Sequence, residues 1–169
     1  MEKRGQFYLI AAIILTVIIM GIAAISNYST KSEPTNVDAL KKQIQTESAK
    51  TINYGINNQL SSDQMFNLLV NFTQQYINSE SRDKNLYFIF GTKSNITLKG
   101  HQNTNDPVSL DGNSVNPLSG SLFYSEKASG SSVTLTINQT NYNFNLTDNQ
   151  NFFFVISQNI GGEIDVVTW

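Results

Sequence analysis

Cysteine is absent from this 169-residue chain, and histidine occurs only once, at His101. Without thiols the protein can form no disulfide bond, no thiolate zinc site and no cysteine nucleophile. The lone histidine lies in a polar stretch, has no second imidazole with which to share a metal ion, and is interpreted as an exposed loop residue. Stability must therefore come from packing, and we expect no cofactor.

Charged residues are also scarce, at 14% of the chain, against roughly 25% in average soluble domains. The net charge of -2 gives no positive field for a phosphate backbone, so nucleic acid is not an expected partner. Four carboxylates of the C-terminal half, Glu126, Asp148, Glu163 and Asp165, are scattered near predicted turns. Their spacing indicates no glycosidase-like pair, and the sequence has no nucleophile elbow or phosphate-binding glycine loop. We predict that the protein is not an enzyme.

A long uncharged run stands near the N-terminus, where residues 7–25 read FYLIAAIILTVIIMGIAAI. As a helix, these roughly 19 residues span about 28 Å, close to the hydrocarbon thickness of a bilayer. We therefore predict a transmembrane helix over residues 6–26. One alternative is a buried core helix, for which too little chain remains. The other is a cleaved secretory signal ending near Ala24 and Ser26, but the apolar core of such signals usually has about 7 to 15 residues.

Basic residues before this run predict its orientation. Lys3 and Arg4 precede it directly, whereas Lys31 and Glu33 beyond it largely cancel. Because cytoplasmic flanks carry the excess of positive charge, residues 1–5 are expected to stay in the cytoplasm as a leader. The predicted location is the cell membrane, with the lipid bilayer as a partner and the C-terminal domain outside.

The junction at the start of the span consists of Lys3, Arg4, Gly5, Gln6 and Phe7. With the apolar run that follows, it resembles the class III (prepilin-type) signal of archaeal type IV pilins and archaellins, over about the first 26 residues. The layout also looks like small, poorly characterised archaeal membrane proteins. The resemblance implies that a prepilin peptidase cuts after Gly5, so that Gln6 becomes the N-terminus. The helix would then be the anchor and a filament core, with pilin-like subunits as partners. Many bacterial pilins carry a glutamate as the fifth mature residue, where this chain has Ile10.

Residues 27–35 are polar and contain Pro34, which predicts a linker before an extracytoplasmic domain at 36–169. Capping-box patterns begin at Thr35 and Ser61, and apolar residues then recur at three- and four-residue steps. These patterns predict two amphipathic helices within 36–79, each burying one face against its own domain. The first stripe is Val37, Leu40, Ile44, Ile52, Ile56 and Leu60, and the second is Met65, Phe66, Leu68, Leu69, Phe72 and Tyr76.

The region 86–169 contains short β-prone runs separated by turn residues. The runs lie at 86–90, 96–98, 108–110, 121–124, 133–137, 142–146, 152–156 and 164–169. We predict an α+β fold in which seven or eight strands form an antiparallel β-sheet or a small β-sandwich. The aromatic run Phe152, Phe153 and Phe154 is expected in the core, with one of its faces covered by the helices.

Two kinds of candidate site fall in this β-rich region. Residues 103–117 concentrate oxygen-bearing side chains, with Asp106, Asp111 and Asn113 as candidate calcium ligands. The spacing and closing glutamate of an EF-hand are missing, so turns are the favoured interpretation. Five sequons begin at Asn27, Asn71, Asn95, Asn138 and Asn145. From the predicted outside location we expect glycosylation, first at Asn95 and Asn138 and then at Asn145, with Asn71 in a helix the poorest acceptor.

These observations lead to three functional hypotheses. The first is a pilin-like structural or interaction subunit of the cell surface. The second is a membrane-anchored binding module that does not polymerise and binds an envelope component, carbohydrate or peptide. Pro34 motivates the second, because pilins usually extend their first helix unbroken into the head domain. The third, an extracytoplasmic hydrolase, rests only on unpaired carboxylates.

Overall fold

The computed structural model describes residues 37–115, 120–128, 130–160 and 163–168, with backbone only for 159–160 and 163–167. The predicted leader 1–5, transmembrane helix 6–26 and linker 27–35 lie outside the described residues. Lys3, Arg4, Gly5 and Gln6 therefore lie outside them too. Within the residues described, no helix is long and apolar enough to span a bilayer.

Two helices, α1 (Val37–Asn57) and α2 (Ser62–Glu80), come first, as the apolar stripes predict. The capping box at the start of α2 is confirmed: the Ser61 hydroxyl accepts a hydrogen bond from the Gln64 amide, and the Gln64 side chain accepts one from the Ser61 amide. The helices also contact each other through the Tyr76 hydroxyl, which donates to the Glu47 carboxylate.

The predicted stripe of α1 is correct at Val37, Leu40 and Ile44 but wrong at Ile56, which is 58% exposed. Gly55 takes the buried position instead. A Cβ atom on Gly55 would lie only 2.4 Å from the Met65 methyl carbon, so the missing side chain lets α2 approach α1 there. Close helix packing therefore rotates the buried face of the last turn by one residue.

Nine strands follow within the described residues, all paired antiparallel. They are β1 (Lys84–Thr92), β2 (Asn95–Gln102), β3 (Val108–Leu110), β4 (Asn113–Val115), β5 (Gly120–Glu126), β6 (Ser132–Ile137), β7 (Thr140–Asn145), β8 (Asn151–Ile160) and β9 (Glu163–Thr168). All eight predicted runs are strands. The ninth, β4, is a three-residue edge strand in a region that was assigned to turns, so the expected number of seven or eight is one too low.

The strands form two sheets. A central sheet has five strands in the order β5-β2-β1-β8-β9, and an outer sheet has four in the order β4-β3-β6-β7. The α+β class and the antiparallel sheets are thus confirmed. The chain passes from the central sheet to the outer one after β2 and again after β5, and it returns to the central sheet after β4 and again after β7.

The domain has three layers, because strand β1 is buried on both faces. Leu86, Phe88 and Phe90 pack with the helices, whereas Tyr87 and Ile89 pack with the outer sheet. Strand β8 repeats this division: Phe152 and Phe154 face the helices, and Phe153 stacks on Phe144 of the outer sheet at 4.9 Å between ring centroids. The predicted core position of the aromatic run is confirmed.

Candidate functional site

A cavity of mixed polarity lies between the two sheets at one end of the domain, with a volume of about 390 Å³. We call it the inter-sheet pocket. Among the described residues, the pocket is lined by the apolar side chains of Ile137, Tyr142 and Val155. Its polar lining includes Asn85, Thr104, Asp106, Asn138, Thr140 and Ser157.

The strand register explains why this end of the domain is not filled. Tyr87 pairs with Val155 in the central sheet, and two residues further along, Asn85 pairs with Ser157 on the same face. Asparagine and serine there replace the large apolar side chains of the interior, and the Asn85 amide donates to the Ser157 hydroxyl at 3.1 Å. The sheets therefore remain apart at this end, and a cavity results.

A tight hairpin forms one side of the pocket. Ile137 and Thr140 are the last paired residues of β6 and β7, and the two residues between them, Asn138 and Gln139, have φ angles of 46° and 68°. Two successive left-handed residues are typical of the type I′ turn, which suits the twist of paired strands. The turn projects Asn138 and Thr140 at the rim, where both are exposed.

The 103–107 loop lies beside this hairpin, since the Asn138 amide donates to the Pro107 carbonyl at 3.0 Å, and it is fixed by further hydrogen bonds. The Asn103 amide donates to the Asn85 side chain at 2.7 Å, and the Gln102 side chain donates to the Asp106 carbonyl at 3.1 Å. The Tyr87 hydroxyl in turn donates to the Gln102 side chain at 3.2 Å. These bonds use the main chain of Asp106, so its carboxylate is left available to the pocket.

Several polar groups of the pocket are uncommitted. Within the described part of the chain, the Asp106 carboxylate and the hydroxyls of Thr104, Thr140 and Tyr142 make no hydrogen bond. Burial raises the pKa of Tyr142 above its usual value. The pKa of Tyr87 is raised as well, first by burial and then by the charge of Asp106. Both phenols therefore stay neutral at physiological pH and can donate hydrogen bonds.

The candidate calcium ligands are divided by the fold. Asp106 precedes β3 and lines the pocket, whereas Asp111 and Asn113 follow β3 at its other end. Asp111 accepts from the Thr134 amide at 2.7 Å, and Asn113 donates to the Glu126 carboxylate at 2.6 Å. One oxygen each of Asp111 and Glu126 is buried without a partner among the described residues. Asp111 and Asn113 stay candidate calcium ligands, with turns as the favoured interpretation. The described residues contain no group of three or more acidic or histidine side chains that could hold a metal ion.

The sequons differ in the accessibility of their hydroxyls. Asn95 and Asn145 are exposed, but the hydroxyl of Thr97 is buried and lies 2.7 Å from that of Ser125. The Thr147 hydroxyl donates to the side chain of Asn151 at 3.1 Å. The sequon at Asn138 is the one, among the four that are described, whose asparagine and threonine are both exposed and have side chains without hydrogen bonds. Glycosylation at all three candidate asparagines stays a prediction.

The remaining candidate residues lie on different elements of the fold. His101 lies half-buried in β2 opposite Leu86 and Ser121, so it is a strand residue and not the exposed loop residue expected. Asp148 pairs with Lys93 at 2.7 Å, and this ion pair lowers the pKa of Asp148. Glu163 and Asp165 lie in β9, where only the backbone of residues 163–167 is described.

The pocket was missed at the level of sequence because its residues come from four distant segments. The one local signal was the pair of consecutive turn residues at Asn138 and Gln139, which lack the glycine that usually marks a type I′ turn. In comparisons with other proteins, no protein-family model, curated protein or solved structure matches this chain.

Proposed function

We propose that this chain is a single-pass membrane protein that presents its three-layer domain outside the cytoplasm, as a pilin-like structural or interaction subunit. The observation that carries the proposal is the junction of Lys3, Arg4, Gly5 and Gln6 before an uncharged run of membrane-spanning length. The domain begins with α1 at Val37, a short distance beyond that run.

The composition of the outer sheet supports a role in contacts with other proteins. None of its four strands contains a charged residue. On its outer face, the hydroxyls of Thr134 and Thr136 donate to the side chains of Asn143 and Asn141, each at 2.8 Å. The edge strand β7 carries no lysine or other charge, although natural proteins commonly place charges on edge strands to prevent pairing with a second chain. Such a face and edge suit close packing of identical subunits.

The first test is the N-terminus of the protein recovered from the membrane fraction, read by intact mass and terminal peptide sequencing. We expect wild-type protein to begin at Gln6 and a Gly5→Val variant to keep its leader. Gly130→Val is the matched control, because Gly130 is exposed and an added Cβ meets no atom within 4 Å. Release of a soluble chain beginning after Ser26 would contradict the anchor.

A second candidate function is the anchored binding module that does not polymerise, and the inter-sheet pocket favours it. Electron microscopy of surface filaments separates the two. Filaments that disappear when the gene is deleted, and return with the wild-type gene but not with Gly5→Val, support the subunit. A protein that keeps Met1, stays in the membrane and forms no filaments supports the binding module.

A further inference from the structure

The inter-sheet pocket has the dimensions and lining of a ligand site. Its volume of about 390 Å³ lies near the lower end of the range of roughly 300–1,000 Å³ that small-molecule sites occupy. A site of this size suits a single compact ring better than a long chain. Asn138 and Thr140 of the lining are exposed at the rim of the domain, so a terminal ring of a larger molecule can reach the pocket there.

Two kinds of surface meet in the pocket. Tyr142, Ile137 and Val155 provide an apolar side that includes one aromatic ring. Asp106 and Thr104 in the 103–107 loop, and Thr140 paired with Ile137 in the hairpin, provide uncommitted hydrogen-bonding groups next to that apolar side. A ligand that satisfies both sides must present C–H groups on one face and several hydroxyls around its edge.

Charge narrows the class of ligand. Asp106 is the one charged residue among the described residues of the lining, and no lysine or arginine is found among them. A carboxylate with no neighbouring cation repels phosphate, sulfate and carboxylate ligands. It accepts strong hydrogen bonds from neutral hydroxyls.

From these features we infer that the inter-sheet pocket binds one neutral pyranose unit of a saccharide. The sugar's C–H face packs on the Tyr142 ring, and the Asp106 carboxylate accepts hydrogen bonds from its hydroxyls. The Thr104 and Thr140 hydroxyls contact the rest of the ring edge. This inference does not depend on the membrane anchor, so it stands or falls separately from the proposed function.

The test is saturation-transfer-difference NMR on the full-length protein, made in a bacterial host without N-glycosylation so that Asn138 is unmodified. A polyoxyethylene ether detergent keeps sugar headgroups and charge out of the sample. The probes are the methyl glycosides of glucose, galactose, mannose, N-acetylglucosamine and N-acetylgalactosamine, with tetramethylammonium as a cationic probe. We expect saturation transfer to at least one glycoside.

Variants locate the binding. Tyr142→Leu keeps an apolar side chain but removes the ring, and Asp106→Asn removes the charge; each should weaken glycoside binding about tenfold. Thr140→Val, at the exposed rim, should weaken it about threefold. The matched control is Tyr54→Leu on α1, because Tyr54 is 58% exposed and lies outside the pocket, and its affinity should equal that of wild type.

Circular dichroism establishes which variants are folded. If Tyr142→Leu does not fold, the affinities of Asp106→Asn and Thr140→Val for the glycosides test the inference. The inference is overturned if none of the five glycosides shows saturation transfer, or if the folded pocket variants bind as tightly as wild type. Binding of tetramethylammonium without any glycoside would equally overturn it, because Tyr142 and Asp106 would then form a cation site.

Discussion

Asn151, at the start of β8, is 4% exposed, and both its side-chain nitrogen and its side-chain oxygen contact the main chain. Its amide nitrogen lies within hydrogen-bond distance of the carbonyls of Gly91, Thr147 and Asn149, at 3.2, 3.1 and 2.9 Å. Its oxygen accepts from the Thr147 amide at 2.8 Å. One side chain thus holds the 146–150 loop against the end of β1. Aspartate has nearly the same shape but no donor.

We therefore predict that Asn151→Asp lowers the free energy of unfolding by about 3 kcal/mol, because a buried carboxylate would face three carbonyl oxygens to which it cannot donate. Urea unfolding followed by circular dichroism measures the change. Asn149→Asp adds the same charge two residues away on an exposed side chain and should change the stability by less than about 0.5 kcal/mol. Equal effects of the two substitutions would mean that the network contributes nothing.

Lys99 is a buried cation of the central sheet, 8% exposed, and its ammonium group donates to the Val70 carbonyl of α2 at 3.0 Å. Burial lowers the pKa of Lys99 in the folded protein. The unfolded chain then binds more protons than the folded chain over the interval between that lowered pKa and the unfolded value near 10.4. The buried charge of Lys99 lowers the free energy of unfolding by its full amount at a pH below the pKa of the folded protein. This effect disappears at a pH above the pKa of the unfolded chain.

It follows that Lys99→Met should raise the free energy of unfolding at pH 7 by about 1 kcal/mol, since a flexible apolar chain fills the same space without a buried charge. The advantage over wild type should shrink as the pH rises toward about 10. Urea unfolding at the two pH values measures both. The control is Lys50→Met on the exposed face of α1, which should show no such pH dependence. A destabilised Lys99→Met protein would show that the bond to Val70 outweighs the burial.

At the scale of helices and strands, much of the structure follows from periodicity. The alternation of Val133 and Leu135 with polar residues predicts β6 because two-residue steps place one face toward the core. Periodicity does not predict strand β4, since Asn-Ser-Val at 113–115 is too short to show a period. It does not predict the exposure of Ile56 either, because this exposure depends on how closely Met65 of the next helix approaches Gly55.

The capping box of α2 is a local signal that was both predicted and found, and it gives a matched pair of serines. We expect Ser61→Ala to lower the free energy of unfolding by about 1 kcal/mol, because the Gln64 amide at the start of the helix loses its acceptor. Ser62→Ala, at the adjacent and equally exposed residue, should change it by less than about 0.5 kcal/mol. Thermal or urea unfolding distinguishes the two. Similar values for both would assign the effect to helix propensity and not to the cap.

At the scale of the molecule, the sequence predicts elements but not their layering. Strands β1 and β8 read as continuous apolar runs, which indicates burial on both faces without saying what covers each face. The inter-sheet pocket shows the same limit. Strand pairing joins Asn85 to Ser157, and the packing of the two sheets adds Tyr142 and Asp106. Nothing in their local sequence distinguishes these four residues from surface residues.

Because β1 supplies residues to both cores, the layers should unfold as one unit. Phe88 belongs to the helix-side core and Ile89 to the core beneath the outer sheet, and both are fully buried neighbours in one strand. Replacing either with alanine leaves a cavity on one side only, with an expected loss of about 3 kcal/mol or more. The strand itself cannot leave one layer while it stays in the other. A loss in either core should therefore weaken the protection of all three layers.

The measurement is native-state hydrogen exchange, read peptide by peptide in Phe88→Ala and Ile89→Ala. We expect each variant to lower the protection of α2 and of β6 by the same free energy, because the slowest amides of both exchange through global unfolding. Tyr54→Ala, on an exposed residue of α1, should leave both unchanged. If Phe88→Ala loosened the helices alone while β6 kept its wild-type protection, the helices would form a separate unit. The central sheet would then be a boundary between two folding units and not the element that joins them.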